Sequence, residues 1–166
     1  MNCPNCAAPL RPIAGRKYLF CEHCSTFHYP EASPETAGSP DRVIRLGERS
    51  DLRCPVCDVD LVSATSEGLS LLSCPQCDGL LATNDDFSLL VRLRRAAHEG
   101  PPAQPVPLEP VELARTTTCP NCRKAMETHP YYGPGNVVID TCPRCKVLWL
   151  DSGELAAIER APGSRW

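Results

Sequence analysis

"CPRCKVLWLDSGELAAIER" occupies residues 142–160. It opens with a tight turn carrying two thiols, Cys142 and Cys145. A short apolar run to Leu150 follows, then Asp151 and Glu154, then Leu155 and Ile158 at helical spacing. Asp151 and Glu154 read either as a pair of catalytic carboxylates or as the start of a helix. The register favours the helix. Asp151 stands where an N-cap accepts first-turn amides, and Glu154 where a capping box reaches back. Leu150 and Leu155 are spaced as a hydrophobic staple, and Pro162 stops the helix. Trp149 is the residue left without a role, and covering the thiol turn and the helix start suits it.

Working outward, the same turn recurs. All 12 cysteines fall into C-x-x-C pairs: Cys3/Cys6, Cys21/Cys24, Cys54/Cys57, Cys74/Cys77, Cys119/Cys122 and Cys142/Cys145. Secreted disulfide scaffolds are also cysteine-rich, but they do not confine themselves to this spacing, which aims two thiols at one centre. The N-terminus has no apolar leader, with Cys3 where its charged end would lie, and no run of about 20 apolar residues suits a membrane span. A reducing, cytoplasmic setting is expected. The pairs group by distance: 14 residues separate Cys6 from Cys21, 16 separate Cys57 from Cys74, and 19 separate Cys122 from Cys142, against 29 and 41 between groups. Consecutive pairs therefore close three four-thiolate sites, expected to hold three Zn²⁺ ions. A single iron on two such turns is the alternative, and the sequence has little of the aromatic surround of a rubredoxin. His23, His28, His98 and His129 are expected to be surface or packing residues, because four thiols already complete each site.

Each unit repeats one plan. An apolar residue follows the second cysteine by four (Leu10, Leu61, Met126), and another precedes the third by three (Tyr18, Leu71, Ile139). Turn signals lie between them: "AGRK" at 14–17, "SEG" at 66–68 and "GPGN" at 133–136. Thiol turn, strand, turn, strand and thiol turn make a zinc ribbon with almost no core, which the metal must hold together. The residue after each pair, often Gly in such turns, is Ala7, Ser25, Asp58, Asp78, Arg123 or Lys146. Lys146 and Arg123 also suit screening of thiolate charge. Six residues past Cys77, Thr83 caps a second helix, "FSLLVRLRRAAH", with Asp86 at the box position and Gly100 closing it. Its expected apolar face is Phe87, Leu90, Leu93 or the Arg94 stem, and Ala97. In the first unit the equivalent positions are Pro30 and Ser33, with Pro34 next, so no helix follows. The expected fold is a small metal-stabilised chain of three tandem four-cysteine ribbons: 1–29, 54–99 with a helix, and 119–161 with a helix. Linkers at 30–53 and 100–118 separate them. "RVIRL" at 42–46 alternates and suits a short strand, and the five prolines of 99–118 suit an extended spacer.

A C-P-x-C pair, a hairpin of about twenty residues, a second C-P-x-C and "WLDSGEL" together resemble the transcription-factor-IIB-type zinc ribbon family. The resemblance is close over 119–160 and weaker over 54–97, where "LATNDDF" replaces the signature. Over 3–29 it is that of a generic zinc ribbon. The family pattern has two glycines after the last cysteine; Gly79 keeps one in the second unit, and Lys146 and Val147 replace both in the third. The resemblance implies zinc binding and a transcription- or nucleic-acid-related role.

The formal charge of -3, with three four-thiolate zinc sites added, falls to about -9, which opposes non-specific nucleic-acid binding. Asp85, Asp86, Asp151 and Glu154 all sit at helix starts, and a closed four-thiolate site leaves no position for substrate, so no catalytic residues are assigned. The expected function is a non-catalytic adaptor presenting Tyr131, Tyr132, Trp149 and Trp166 to a protein partner. Nucleic-acid binding is the alternative, through Arg11, Arg16, Lys17, Arg92, Arg94 and Arg95. A redox role, by iron or by reactive thiols, is a third.

Overall fold

Glu67 and Gly68 have φ of 50° and 81°. Two left-handed residues make the turn that matches the twist of a two-residue hairpin. They join β5 (Asp60–Ser66) to β6 (Leu69–Ser73) in unbroken antiparallel register from Val62↔Ser73 to Ser66↔Leu69. Leu61, Ala64 and Leu71 are buried as a result. The computed structural model describes residues 2–3, 5–12, 19–28 and 40–163. The expectations at 14–17, Tyr18, Pro30, Ser33 and Pro34 lie outside the described residues.

Near the N-terminus, β1 (Arg11–Pro12), β2 (Leu19–Cys21) and β3 (Thr26–His28) form a three-stranded sheet of their own. The described strands after it belong to a second sheet. β4 (Ile44–Arg53) pairs with β5, and β6 pairs with β7 (Leu80–Thr83). From the other end, β8 (Glu127–Pro130) pairs with β9 (Val138–Cys142), and β9 with β10 (Val147–Leu150). The two halves meet where β7 pairs antiparallel with β10, giving seven strands in the order β4-β5-β6-β7-β10-β9-β8.

This sheet departs from a string of separate ribbons in two places. Residues 44–53, expected mostly as linker, are a ten-residue edge strand. Gly47 at φ 82°, two register shifts and six charged or polar side chains break the alternation that marks a strand. The second and third units also share one core. Ala64, Leu71, Leu80, Ala82, Phe87, Leu90 and Val91 pack with Val137, Ile139, Leu148, Leu150, Leu155 and Ile158. Each unit thus covers part of the other's apolar face.

Helix α1 (Asn84–Ala97) follows β7, and α3 (Glu154–Arg160) follows β10. Thr83 caps α1, its hydroxyl accepting from the Asp86 amide at 3.1 Å and donating to the Asp86 carboxylate at 2.9 Å. The buried stripe of α1 is Phe87, Leu90, Val91, Arg94 and Arg95, whereas Leu93 is 41% exposed and Ala97 is exposed. The stripe turns away from Leu93 because α3 lies on the other side. There Arg94 donates to Glu159 Oε2 through Nε (2.8 Å) and Nη2 (2.5 Å), and Arg95 donates to the Ile158 and Ala161 carbonyls at 2.6 and 3.1 Å. Both arginines are almost wholly buried, which removes them from the surface on which the alternative nucleic-acid reading relied.

The proline-rich stretch is exposed from Pro101 to Pro107 and fastened at both ends. The Ala103 amide donates to the Arg160 carbonyl at 2.7 Å. At the far end, a short helix, α2 (Pro110–Leu113), leads to Arg115, which reaches back onto the third unit.

Candidate metal centres

The six thiol turns are built alike. In the first turn of each unit, the amide of the first cysteine donates to the carbonyl five residues on, as in Cys54 to Val59 and Cys119 to Lys124, both at 2.8 Å. The amide after the second cysteine returns to the carbonyl of the first, as in Asp58 to Cys54 at 3.0 Å and Lys146 to Cys142 at 2.8 Å. That second bond needs a left-handed residue. Ala7, Ser25, Asp58, Asp78, Arg123 and Lys146 all adopt it, with φ from 54° to 61°. The absence of Gly therefore leaves the turn geometry intact, although each such side chain costs roughly 1–2 kcal/mol there. Closing the turn aims main-chain amides at sulfur: Val56 and Cys57 donate to Cys54 Sγ at 3.4 and 3.3 Å, and Gln76 and Cys77 to Cys74 Sγ at 3.4 Å.

Ribbon pairing then brings turns together two by two. The sulfurs of Cys3, Cys6, Cys21 and Cys24 lie within 4.8 Å of one another, as do those of Cys54, Cys57, Cys74 and Cys77 and those of Cys119, Cys122, Cys142 and Cys145. The short S···S distances are 3.5 Å for Cys3–Cys24, 3.4 Å for Cys6–Cys21, and 3.7 Å for both Cys54–Cys77 and Cys122–Cys142. Four sulfurs held about 2.3 Å from one tetrahedral ion stand about 3.8 Å apart, so these sets fit a metal ion. In each pair the first thiol is buried and the second is half-buried. Their chemistry asks for a cation. In the third set burial pushes Cys119 up to about 12, while the Lys124 amide brings Cys122 down to about 7. Four such thiols cannot all ionise together without a positive charge between them.

No histidine or carboxylate joins these groups among the described residues. The His129 ring meets the Pro130 carbonyl and the Thr141 hydroxyl and stacks on Tyr132 at 5.4 Å. His98 lies 3.3 Å from Glu159, and His23 is exposed.

The second and third sites share one apolar cluster. Cys54, Cys74, Cys119 and Cys142 pack with Leu61, Leu81, Met126 and Trp149. Trp149 has 0% exposure, so it is not a surface group for a partner. It lies on Gly79, two residues past Cys77, where an added Cβ would sit 2.1 Å from a ring carbon. Only Gly admits the ring there. Tyr131 is partly buried, edge-on to Phe87 at 5.4 Å, while Tyr132 is 88% exposed. Trp166, Arg16 and Lys17 lie outside the described residues.

The segment 142–160 is arranged differently from the local capping pattern. Gly153, at φ 89°, is the N-cap of α3, which leaves Asp151 two residues outside the helix. Half of the capping box survives, with the Asp151 amide donating to Glu154 Oε2 at 2.7 Å. The Asp151 carboxylate turns away, accepting the Trp149 indole N–H at 3.0 Å and Arg115 Nη1 at 2.5 Å. The cap comes from Asp41 instead. Its fully buried carboxylate accepts the Gly153 amide at 2.7 Å and the Ala156 amide at 2.8 Å. Asp41 also offers its carbonyl to Arg94, and Arg42 donates to Glu159 at 2.5 Å. Residues 41–42, expected as linker, thus strap α1 to α3.

Arg115 gathers three carboxylates: Asp151, Asp140 at 3.0 Å and Glu154 at 3.8 Å. One guanidinium does not balance three acids. Burial pushes Glu154 up to about 8, helped by the charges of Asp151 and Asp140 and opposed by the Asp151 amide and Arg115. Glu154 thus holds a proton near neutral pH, and the cluster sits closer to balance.

Residues 118–161 match the family described as transcription factor zinc-finger, a TFIIB-type zinc ribbon. The third unit is such a ribbon, and the first two units lie outside the match. No curated protein matches the chain, nor does any solved structure.

Proposed function

We propose that the chain is a non-catalytic zinc protein that carries three Zn²⁺ ions and serves as an adaptor for a protein partner in a transcription-related setting. The observation that carries this reading is the closure of the sites: twelve thiols divide into three complete sets of four. Zinc favours closed tetrahedral thiolate sites in structural roles, and the TFIIB-type match of the third unit supports the same ion. The acids that first suggested chemistry are engaged elsewhere. Asp151 and Glu154 bond Trp149, Arg115 and the main chain, and Asp86 bonds Thr83.

Exposed aromatic and aliphatic side chains support protein recognition. Tyr132, Val106 and Val111 are 88%, 71% and 75% exposed. Among the described residues of the basic set, Arg94 and Arg95 are buried, Arg11 is exposed but pairs with Glu22 at 3.0 Å, and Arg92 lies on the surface of α1. Metal quantification of the purified chain is expected to give three zinc ions per chain, no colour and no free-thiol titre. Iron, colour or fewer ions would overturn the zinc assignment. A mobility shift with DNA and RNA at low salt is expected to show no binding; a salt-sensitive shift would replace the adaptor reading with nucleic-acid binding.

A further inference from the structure

We infer that the second and third metal sites load cooperatively, as one unit keyed by Trp149 on Gly79, while the first site loads alone. This rests on the zinc reading above and concerns how the sites act on one another.

The physical link is short on both sides. β7 begins three residues after Cys77 and β10 two residues after Cys145, so each strand is the direct continuation of a metal-binding turn. These two strands pair with each other through four residues each, from Val147↔Thr83 to Leu150↔Leu80. At the centre of the ladder Leu81 faces Trp149. Trp149 then reaches into the turn of the second site itself, against Gly79. A second tie runs the same way, since the Asn84 amide at the head of α1 donates at 3.0 Å to the carbonyl of Lys146, the left-handed residue of the third site's last turn.

A turn without its ion has little else to hold it, because the strand it feeds owes its burial to the other unit. Loading the third site fixes β10 and Trp149, which completes the wall of the second site. Loading the second fixes Gly79 and β7, on which Trp149 seats. Linkage makes the effect reciprocal and equal in both directions. The first site stands apart: among the described residues its sheet shares no strand with the other.

The test is a Co²⁺ titration of the full-length apo chain against a competing chelator, read by thiolate-to-cobalt absorption. With Cys3→Ser and Cys6→Ser removing the first site, the remaining two are expected to fill with a Hill coefficient above 1. Adding Cys119→Ser and Cys122→Ser leaves the second site alone, and its affinity is expected to fall at least tenfold. Gly79→Ala, which crowds the indole without touching a thiol, is expected to bring the Hill coefficient back towards 1. Gly79→Ala with Trp149→Leu is expected to recover part of the coupling, which separates it from simple misfolding. Two ions bound with a Hill coefficient of 1 and an unchanged second-site affinity would overturn the coupling and leave the zinc reading standing. Failure to bind Co²⁺ at all would overturn both.

Discussion

Replacing Asp41 by Ala tests a cap supplied from far along the chain. The carboxylate holds two amides at the head of α3, from 112 and 115 residues away, at 2.7 and 2.8 Å. Loss of an N-cap costs about 1 kcal/mol in ordinary helices. Here the buried Ala156 amide is also left without an acceptor, at about 1–3 kcal/mol, and the half-buried Gly153 amide loses its acceptor at a smaller cost. An offset comes from Asp41 itself, because burial raises its carboxyl and its ionised form is costly to hold there. The net expectation is a loss of about 2–4 kcal/mol, confined to the α1–α3 layer. Hydrogen exchange of the zinc-loaded chain reads this directly, since the Gly153 and Ala156 amides should lose about 30- to 1000-fold in protection. Asp41→Asn should fall close to Ala, because one amide then faces an NH₂ group instead of an oxygen. Asp151→Ala should leave these two amides protected while loosening the Trp149 indole. If Asp41→Ala left protection unchanged and Asp151→Ala removed it, the local capping box would be the true cap and the strap would be wrong.

Three other outcomes follow from the same geometry. Arg94→Ala leaves Glu159 buried with one partner fewer and should cost about 3–5 kcal/mol by denaturation of the zinc-loaded chain; an effect as small as that of the exposed Arg92→Ala would refute the buried pair. Glu154→Gln should remove a pH dependence. Its carboxyl is raised to about 8 in the fold from an ordinary 4.5, so the folded chain holds a proton there that the unfolded chain has lost. Stability therefore falls as pH rises through that window, and the variant should gain on the parent by up to ~1.4 kcal/mol per pH unit between pH 6 and 8 at fixed free zinc; parallel profiles would sink this account. Ala7→Gly should relieve a left-handed alanine at φ 60°. The gain of about 0.5–1 kcal/mol, after the added freedom of the unfolded chain, should appear as a roughly two- to five-fold tighter first site; weaker metal binding would argue against strain there.

The parts legible in the sequence are those set by neighbours along the chain. Thiol spacing placed Cys54, Cys57, Cys74 and Cys77 in one set, because a turn and a hairpin need only local residues. Thr83 and Asp86 read correctly as a helix start for the same reason. At Asp151 the same local rule was outcompeted. Gly153 took a left-handed cap position, and the indole of Trp149 and the guanidinium of Arg115 claimed the carboxylate. The replacement cap, Asp41, lies beyond any local pattern, and nothing in "SPDRVIRL" marks it as one. The arginines of α1 misled in the opposite sense. Charge suggests surface, yet Arg94 and Arg95 are buried because α3 brings Glu159 and open carbonyls to meet them.

The joining of two units into one sheet has a symmetry that the repeat alone did not reveal. Leu81 and Trp149 each stand four residues past the last cysteine of their unit, and they are paired with each other across β7 and β10. Equivalent residues facing across an antiparallel contact are what a two-fold axis produces. The second and third units thus meet as the halves of a dimer would, within one chain. The symmetry is broken where packing needs it. Gly79 and Val147 occupy matching places, two residues past the last cysteine, and the larger Trp149 lies on the Gly while the smaller Leu81 shares its cluster with Val147. A Trp facing both ways would need Gly on both sides, and a Leu facing both ways would leave a void at Gly79. The loss of Gly at position 147 and the replacement of the tryptophan by Leu81 are therefore two sides of one fit. Each unit deviates from the common pattern at the position that accommodates the other, which makes the pair specific for itself and gives the two metal sites a shared wall.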